Sequence, residues 1–190
     1  MKYDILFKEF PFIENNEVIL KKIERQDSNN LFEINSNKTI YRFKPGLPRK
    51  TISAVENMIE HYERDFRKKK VIFLGIYLKS HSCKLVGVAE IFDFDRKVNL
   101  VTIGYTLNEN YWGNGIATKT TSLLLEYLFN QIEVNRIQAF VLTENEKSKN
   151  VLLRNDFVKE GTIRQANLWT GKGIVDLELY AILKASYCTK

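Results

Sequence analysis

A turn with two glycines constrains this chain more than any other feature, because it lies between a strand pattern and a helix pattern. Residues 98–107 are strand-like, and the apolar residues from Ile116 to Leu128 recur at helical spacing. The turn between them is Trp112-Gly113-Asn114-Gly115-Ile116-Ala117. A strand-to-helix turn exposes backbone N–H groups and the positive end of the helix dipole, and glycine lets a phosphate approach closely. It indicates a phosphate site, although glycine also serves such turns for conformational reasons alone, and neither GxGxxG nor P-loop spacing is present.

The rest of the chain mixes strands and helices without a repeat or a linker. Strands are predicted over 17–23, 71–78, 84–94, 98–107, 136–142, 157–163 and 173–183. Helices are predicted to begin at Asp27 or Ser28, at Thr51 or Ser53, at Ile116 and at Asn145. The short turns near 79–82 and 93–97 predict an antiparallel meander. The fold class is therefore α+β (mixed α/β).

Length and composition favour one folded domain. The chain has 190 residues, of which 44% are hydrophobic and 27% charged. No segment approaches the roughly 20 apolar residues that a membrane span needs, so we expect a cytoplasmic protein without a membrane partner. Cys83 and Cys188 lack the spacing of a metal site or a disulfide framework, and we expect two reduced thiols and no metal.

The net charge of +6 suits either nucleic acid or a small polyanion. The densest basic run, Arg64 with 67–70, lies at the end of a predicted helix, where cations complement the helix dipole and face water. No nucleic-acid-binding module accompanies it, so a nucleic-acid partner is not expected.

Three ordered motifs carry a resemblance to a known family. The stretch 103–118 resembles the acetyl-CoA motif of the GNAT superfamily of N-acetyltransferases, in the form used by its RimJ/RimL-like branch of ribosomal-protein N-terminal acetyltransferases. Residues 145–157 resemble that branch's second motif, and Glu160 to Arg164 with Val175-Asp176 and Tyr180 resemble its last strands. The resemblance spans roughly Val18 to Tyr187.

That resemblance implies a single GNAT acyl-CoA N-acyltransferase domain over 1–190, with its core at about 17–187. It implies a mostly antiparallel central sheet, splayed at the cofactor strand and flanked by helices, and acetyl-CoA (coenzyme A) as cosubstrate. The pyrophosphate would lie on backbone amides from Gly113 to Thr118, the pantetheine along the cofactor strand, and Asn145 and Ser148 would hydrogen-bond the pantetheine or thioester. The implied cofactor-binding residues are Tyr105, Thr106, Leu107, Trp112, Gly113, Asn114, Gly115, Ile116, Ala117, Thr118, Asn145 and Ser148.

Two departures from the family's pattern lie in the glycine turn and at the end of the second motif. Trp112 stands where the wider superfamily has Arg or Gln, which the branch tolerates. Asp156 replaces the usual glycine before Phe157, and Asp tolerates a left-handed φ better than most residues. We expect the site to survive both changes.

Acetyl transfer needs a base for the amine and an acid for the leaving thiolate. Glu90, on the strand before the cofactor strand, is the predicted base, because burial in a cleft raises a carboxylate pKa; the alternative is a solvated strand glutamate. Thr102 stands where many relatives carry a glutamate. Leu152 stands where many carry the tyrosine that serves as the general acid. Ser148 is the predicted substitute acid, unless it only caps its helix.

The acceptor is less well defined. Phe43, Trp169 and the loop around Pro45 are candidate acceptor contacts, Tyr105 and Tyr180 are cleft or core residues, and neither His61 nor His81 is expected to act in catalysis. A protein N-terminal amine is the first hypothesis for the acceptor. The alternatives are a polyamine, an aminoglycoside or an amino-acid derivative, and an acyl-CoA-binding protein without turnover. Monomer and homodimer both stay open.

Overall fold

Eight strands form one sheet in the order β1-β2-β3-β4-β5-β6-β8-β7. A computed structural model describes residues 1–81 and 84–187, so the expectations for Cys83 and Cys188 lie outside the described residues. The strands are β1 (Ile13–Glu14), β2 (Val18–Lys21), β3 (Ile72–Leu78), β4 (Lys84–Asp95), β5 (Leu100–Leu107), β6 (Arg136–Leu142), β7 (Val158–Trp169) and β8 (Gly173–Leu183). Each neighbouring pair is antiparallel except β5 and β6, which are parallel.

Helices cover both faces of this sheet. They are α1 (Tyr3–Leu6), α2 (Ser28–Ser36), α3 (Ile52–Arg67), α4 (Ile116–Glu126), α5 (Glu146–Arg154) and α6 (Lys184–Tyr187). On one face, Leu31 of α2 and Val55 of α3 pack with Tyr77 and Val88 of the sheet. On the other face, the apolar side of α4 packs against alternate residues of β5 and β6. No helix within the described residues is long and apolar enough to cross a membrane.

The sheet opens between β5 and β6. These strands pair only at 100–102 with 136–138, although β5 continues to Leu107 and β6 to Leu142. Beyond Thr102 the β6 side of β5 has no strand partner, while its other side stays paired with β4. The two strands therefore diverge toward their carboxyl ends, where β5 leads into the glycine turn and β6 into α5. The predicted splayed, mostly antiparallel α+β sheet is confirmed.

The structure confirms most predicted elements and corrects others. The meander of β3, β4 and β5 is antiparallel as predicted, and β6 and β8 have the predicted bounds. Thr51 caps α3 by accepting a hydrogen bond from the Ala54 N–H at 3.2 Å. Strand β7 is longer than predicted and continues to Trp169. The basic run at the end of α3 faces solvent, as predicted.

The predicted cap of α2 is wrong. Neither Asp27 nor Ser28 accepts a hydrogen bond from an N–H of this helix, because a 3₁₀ turn at Arg25–Asp27 precedes it. Glu24 begins that turn in a capping box, and the Asp27 carboxylate accepts from the Glu24 N–H and the Tyr77 hydroxyl, at 2.9 and 2.7 Å. Asp27 therefore anchors the turn to the sheet.

Candidate functional site

A cavity of about 380 Å³ lies where β5 and β6 diverge. Its walls come from the ends of both strands, the glycine turn, the beginning of α4, one side of α5 as far as Arg154, the segment after α2, and Trp169 of β7. All predicted cofactor residues except Asn114 line it, namely Tyr105, Thr106, Leu107, Trp112, Gly113, Gly115, Ile116, Ala117, Thr118, Asn145 and Ser148. The cavity brings together residues that lie more than 40 positions apart in the sequence.

The glycine turn has the backbone that phosphate binding requires. Gly113 and Gly115 have φ of +81° and +74°, a region that L side chains rarely adopt. A Cβ at either position would meet open space, so side chains are missing on the side from which a ligand arrives. Gly115 is the N-cap of α4, and the first helical hydrogen bond reaches its carbonyl from the Lys119 N–H. The N–H groups at the start of α4 are thus available to an anion.

Trp112 has a structural role in this turn. Its indole Nε1–H donates to the Leu107 carbonyl at 3.0 Å and ties the turn to the end of β5. The Lys147 ammonium lies 5.2 Å from the Trp112 ring centroid, and both Lys147 and Arg154 line the cavity. These two cations give this end of the cavity a positive potential that suits a polyanionic ligand.

Asn145 and Ser148 lie at the beginning of α5. The Asn145 side chain caps the helix by accepting from the Ser148 N–H at 3.1 Å. The Ser148 Oγ lies 3.0 Å from the Tyr105 hydroxyl. Burial raises the pKa of Tyr105 to about 12, against the opposing effect of its hydrogen bond with Ser148. The hydrogen bond between the two hydroxyls connects β5 to α5. Leu152 lines the cavity one turn further along α5.

Glu90 lies on the opposite face of the sheet from this hydroxyl pair. It is paired with Gly104, and directly paired residues share a face, whereas Tyr105, the next residue, points to the other face. Gly104 lines the cavity, and a Cβ at this position would lie 3.7 Å from the Phe92 Cε1 and 3.9 Å from the Glu90 Oε2. Burial raises the pKa of Glu90, and the positive charge of Lys44 opposes the shift. The Glu90 side chain is half-buried and does not itself line the cavity.

Lys44 was not among the residues predicted from the sequence. It lines the cavity, and burial lowers its pKa, with Glu90 opposing that shift and Arg49 adding to it. Its ammonium donates to the Asn35 Oδ1 at 3.3 Å, and the buried Asn35 is itself held by its bond to the Leu31 carbonyl at 2.9 Å. No sequence pattern marks Lys44, because it lies in an irregular segment far from Glu90 in the chain.

The predicted acceptor contacts lie around the same end of the cavity. Phe43 and Trp169 line the cavity and belong to one apolar cluster with Leu142 and Leu177, whereas Pro45 is exposed and does not line it. His61 is exposed on α3, and the side chain of His81 lies outside the described residues. Tyr180 is a core residue whose hydroxyl donates to the Glu178 Oε2 at 2.9 Å.

Asp156 adopts the conformation that its place in the second motif demands. Its φ is +63°, and the Asp156 and Phe157 N–H groups donate to the carbonyls of Leu153 and Leu152 in a Schellman ending of α5.

Thr102, at the position where many relatives have a glutamate, is buried, and its hydroxyl accepts a hydrogen bond from the Gln138 side chain at 3.2 Å.

Comparison with known proteins agrees with this geometry. The family model described as "Acetyltransferase (GNAT) domain" matches residues 17–158. The chain belongs to the GNAT family of acetyltransferases. It is 30% identical over 175 residues to the uncharacterized N-acetyltransferase YoaA of Bacillus subtilis (strain 168), covering 92% of this chain and 98% of that one.

Two further similarities bear on ligands. Over 131 residues, 69% of each chain, the protein is 29% identical to the ribosomal-protein-serine acetyltransferase of Escherichia coli (strain K12), in agreement with the RimJ/RimL-like resemblance. The structure of the microcin C7 self immunity acetyltransferase MccE in complex with acetyl-CoA and AMP matches with a TM-score of 0.79 and 26% identity, covering 89% of this chain and 93% of that one.

This GNAT chain is an acetyl-CoA-dependent N-acetyltransferase, and its own residues fit that cosubstrate. The open glycine turn at the start of α4 suits the pyrophosphate, and Lys147 and Arg154 add positive charge beside it. The unpaired side of β5 beyond Thr102 offers backbone groups to an extended amide-bearing arm.

Proposed function

We propose that this enzyme transfers the acetyl group of acetyl-CoA to the N-terminal amine of a protein, by direct attack in a ternary complex. The observation that carries the proposal is the arrangement of proton-transfer groups about the gap in the sheet. Glu90 lies on one face, the Tyr105–Ser148 hydroxyl pair lies on the other, and the cavity runs between β5 and β6. A base on the acceptor side and an acid on the thiol side are what direct transfer requires.

Each group has a definite task in this proposal. When bound, acetyl-CoA supplies a thioester whose carbonyl carbon accepts the amine's lone pair. Glu90 takes the amine's proton through one water molecule, and its raised pKa brings it closer to that of the amine. A backbone N–H of β5 polarises the carbonyl oxygen. The C–N bond forms and the C–S bond then breaks; Ser148, hydrogen-bonded to Tyr105, donates a proton to the departing sulfur and regains one from solvent.

A protein acceptor is supported by the similarity to the Escherichia coli ribosomal-protein-serine acetyltransferase. A small-molecule amine is the second candidate, because the spermidine N(1)-acetyltransferase of Vibrio cholerae serotype O1 is also similar, at 19% identity over 93% of this chain. The cytoplasmic location, the expected lack of a nucleic-acid partner and the choice between monomer and homodimer stay predictions from the sequence.

The test is to follow free thiol release from acetyl-CoA with a panel of peptides, polyamines and aminoglycosides. We expect turnover with peptides that have a free N-terminus, and none when that amine is blocked. Turnover with small amines alone would contradict a protein acceptor and support a small-molecule amine as the acceptor. Binding of CoA without turnover on any acceptor would contradict both and favour an acyl-CoA-binding role.

A further inference from the structure

The charge of the cavity wall distinguishes between classes of acceptor. Among the described residues, the cavity is lined by three cationic side chains, Lys44, Lys147 and Arg154, and by no carboxylate. Lys147 lies beside Trp112 near the beginning of α5, and Arg154 lies at the end of α5, next to Asn155, whose side chain donates to the Thr118 carbonyl. Lys44 lies at the other end with Phe43 and Trp169. A second positive charge on an acceptor would be repelled there by the Lys44 ammonium, and no lining carboxylate would attract it.

Lys44 is held in place. Asn35 is only 1% exposed and accepts from the Lys44 ammonium at 3.3 Å, and the Tyr41 ring centroid lies 5.9 Å from the same ammonium. Glu90 is the carboxylate that interacts with Lys44 electrostatically, and Arg49 adds a further positive charge. Neither Glu90 nor Arg49 lines the cavity, so Lys44 is the charge that this end presents to a ligand.

Trp169 supplies a second, independent observation. The side chain is 6% exposed, it lines the cavity, and its indole Nε1–H has no hydrogen-bond partner in the described part of the chain. A buried N–H without a partner is unfavourable, and a ligand oxygen is one group that can accept its hydrogen bond. Phe43, which is half-buried on the irregular segment after α2, packs on the same cluster and lines the cavity beside Trp169.

We propose that the acceptor carries, beside its amine, an oxygen that accepts hydrogen bonds, and that Lys44 and the indole N–H of Trp169 bind this oxygen. A peptide carbonyl or an amino-acid carboxyl derivative has this chemistry, and a polyamine lacks it. The inference rests on the proposed function in one respect, because it takes the Lys44 end of the cavity as the acceptor end. It selects protein N-termini and amino-acid derivatives over spermidine-like amines.

The kinetic test compares acceptors within each variant, so that any effect of Lys44 on Glu90 cancels. The acceptors are a hexapeptide with a free N-terminal serine, serinamide and spermidine, and the quantity is the ratio of kcat/KM for a carbonyl-bearing acceptor to that for spermidine. We expect the wild-type ratio to exceed one, Lys44→Gln to lower it about tenfold, and Lys44→Arg to retain most of it. Lys38→Gln, at an exposed position of the same segment, is the matched control and should leave the ratio within about twofold.

A second measurement needs no turnover. The chain has two tryptophans, so ¹⁵N-labelled indole groups give two signals, and Trp169→Phe identifies the one from Trp169. In the protein saturated with CoA, serinamide or the hexapeptide should shift the Trp169 indole signal, and spermidine should not. A shift with the hexapeptide alone, or with serinamide alone, identifies the source of the carbonyl.

The outcomes separate this inference from the proposed function. A shifted indole signal without thiol release would support the subsite and contradict acetyl transfer. Thiol release with an unmoved indole signal and an unchanged ratio in Lys44→Gln would overturn the subsite while leaving acetyl transfer intact. A wild-type preference for spermidine would also overturn it.

Discussion

At the scale of single residues, Glu90 is the proposed base, and its electrostatics predict how activity depends on pH. Its raised pKa comes from burial, and Lys44 moderates it. A base with a raised pKa is deprotonated only at higher pH, but it then matches the pKa of an amine better than an ordinary carboxylate does. Activity should therefore rise with pH through the raised pKa of Glu90.

Glu90→Gln should lower kcat/KM about a hundredfold near neutral pH, because general-base catalysis contributes factors of this order. The loss should shrink at high pH, where the amine deprotonates without help. The measurement is a pH profile of kcat/KM for both proteins, with Glu60→Gln, an exposed change on α3, as control. A loss of equal size at every pH would remove Glu90 as the base.

The same substitution should stabilise the fold at neutral pH. A carboxyl whose pKa is raised in the folded state contributes stability that is present below its unfolded pKa and lost as pH rises through the folded pKa. Gln mimics the protonated form, so the Tm of Glu90→Gln should exceed that of the wild type at pH 8, and the two should converge near pH 4. Thermal unfolding at both pH values measures this, and a lower Tm at pH 8 would show that Glu90 has a mainly structural role.

Tyr105 and Ser148 should act as a unit. Because their hydroxyls are hydrogen-bonded at 3.0 Å, removing either one breaks the same proton path. We expect Ser148→Ala and Tyr105→Phe each to lower kcat about tenfold or more, and the double variant to be little slower than the slower single variant. Additive losses would indicate that the hydroxyls act separately. Calorimetry with CoA measures any loss of cofactor affinity in each variant, so that it is not counted as a loss in kcat.

Site residues that belong to a family motif or to a predicted strand could be identified from the sequence. Site residues that reach the cavity only through tertiary packing could not. Glu90 and Ser148 were predicted because each belongs to a recognisable element. Lys44 approaches Glu90 through the packing of an irregular segment, which no periodicity encodes. Tyr105 was predicted as a cofactor contact, but its bond to Ser148 depends on how closely α5 approaches β5.

At the scale of elements, Gly115 of the glycine turn has a positive φ, and the space beside its Cα is open. Gly115→Val places a β-branched residue at φ +74°, which costs on the order of 1–3 kcal/mol, and also puts a side chain where phosphate is proposed to bind. Gly171→Val is the matched control, because Gly171 has φ +82° and equally open surroundings but lies in the turn between β7 and β8.

Both glycine variants should lose similar stability, and only Gly115→Val should lose CoA affinity, by tenfold or more. Calorimetric titration with CoA and thermal unfolding separate the two effects. Equal affinity in the two variants would place the phosphate elsewhere.

Element bounds followed the sequence where one physical signal dominates. Strands β6 and β8 begin and end as predicted because apolar runs and turn residues delimit them. The short α1 and β1 have no periodicity, and tertiary contacts such as the Lys2 N–H bond to the Ile132 carbonyl hold α1 in place. Beyond Ile163, β7 passes an irregular register at 163–167, where Gln165 has φ +52°, so its pattern no longer alternates.

At the scale of the whole molecule, the fold consists of two parts of one sheet joined at a narrow seam. Strands β1 to β5 and strands β6 to β8 share only the pairing of 100–102 with 136–138, and helices α4 and α5 pack across the seam. A ligand in the gap contacts both parts, so its binding free energy adds to the stability of the seam.

CoA should therefore raise Tm and slow amide exchange most at 103–107, the part of β5 that lacks a strand partner on the β6 side. At a concentration of 100 Kd the stabilisation from binding is about 2.7 kcal/mol. The β7–β8 turn around Gly171, which lies outside the seam, should change little in hydrogen exchange followed by mass spectrometry. Protection that is uniform along the chain would mean that CoA stabilises the fold globally without filling the gap, and protection confined to 113–118 would mean that only the phosphates are bound. Slowed exchange at both 103–107 and 113–118 is the result that the divergence of β5 from β6 predicts.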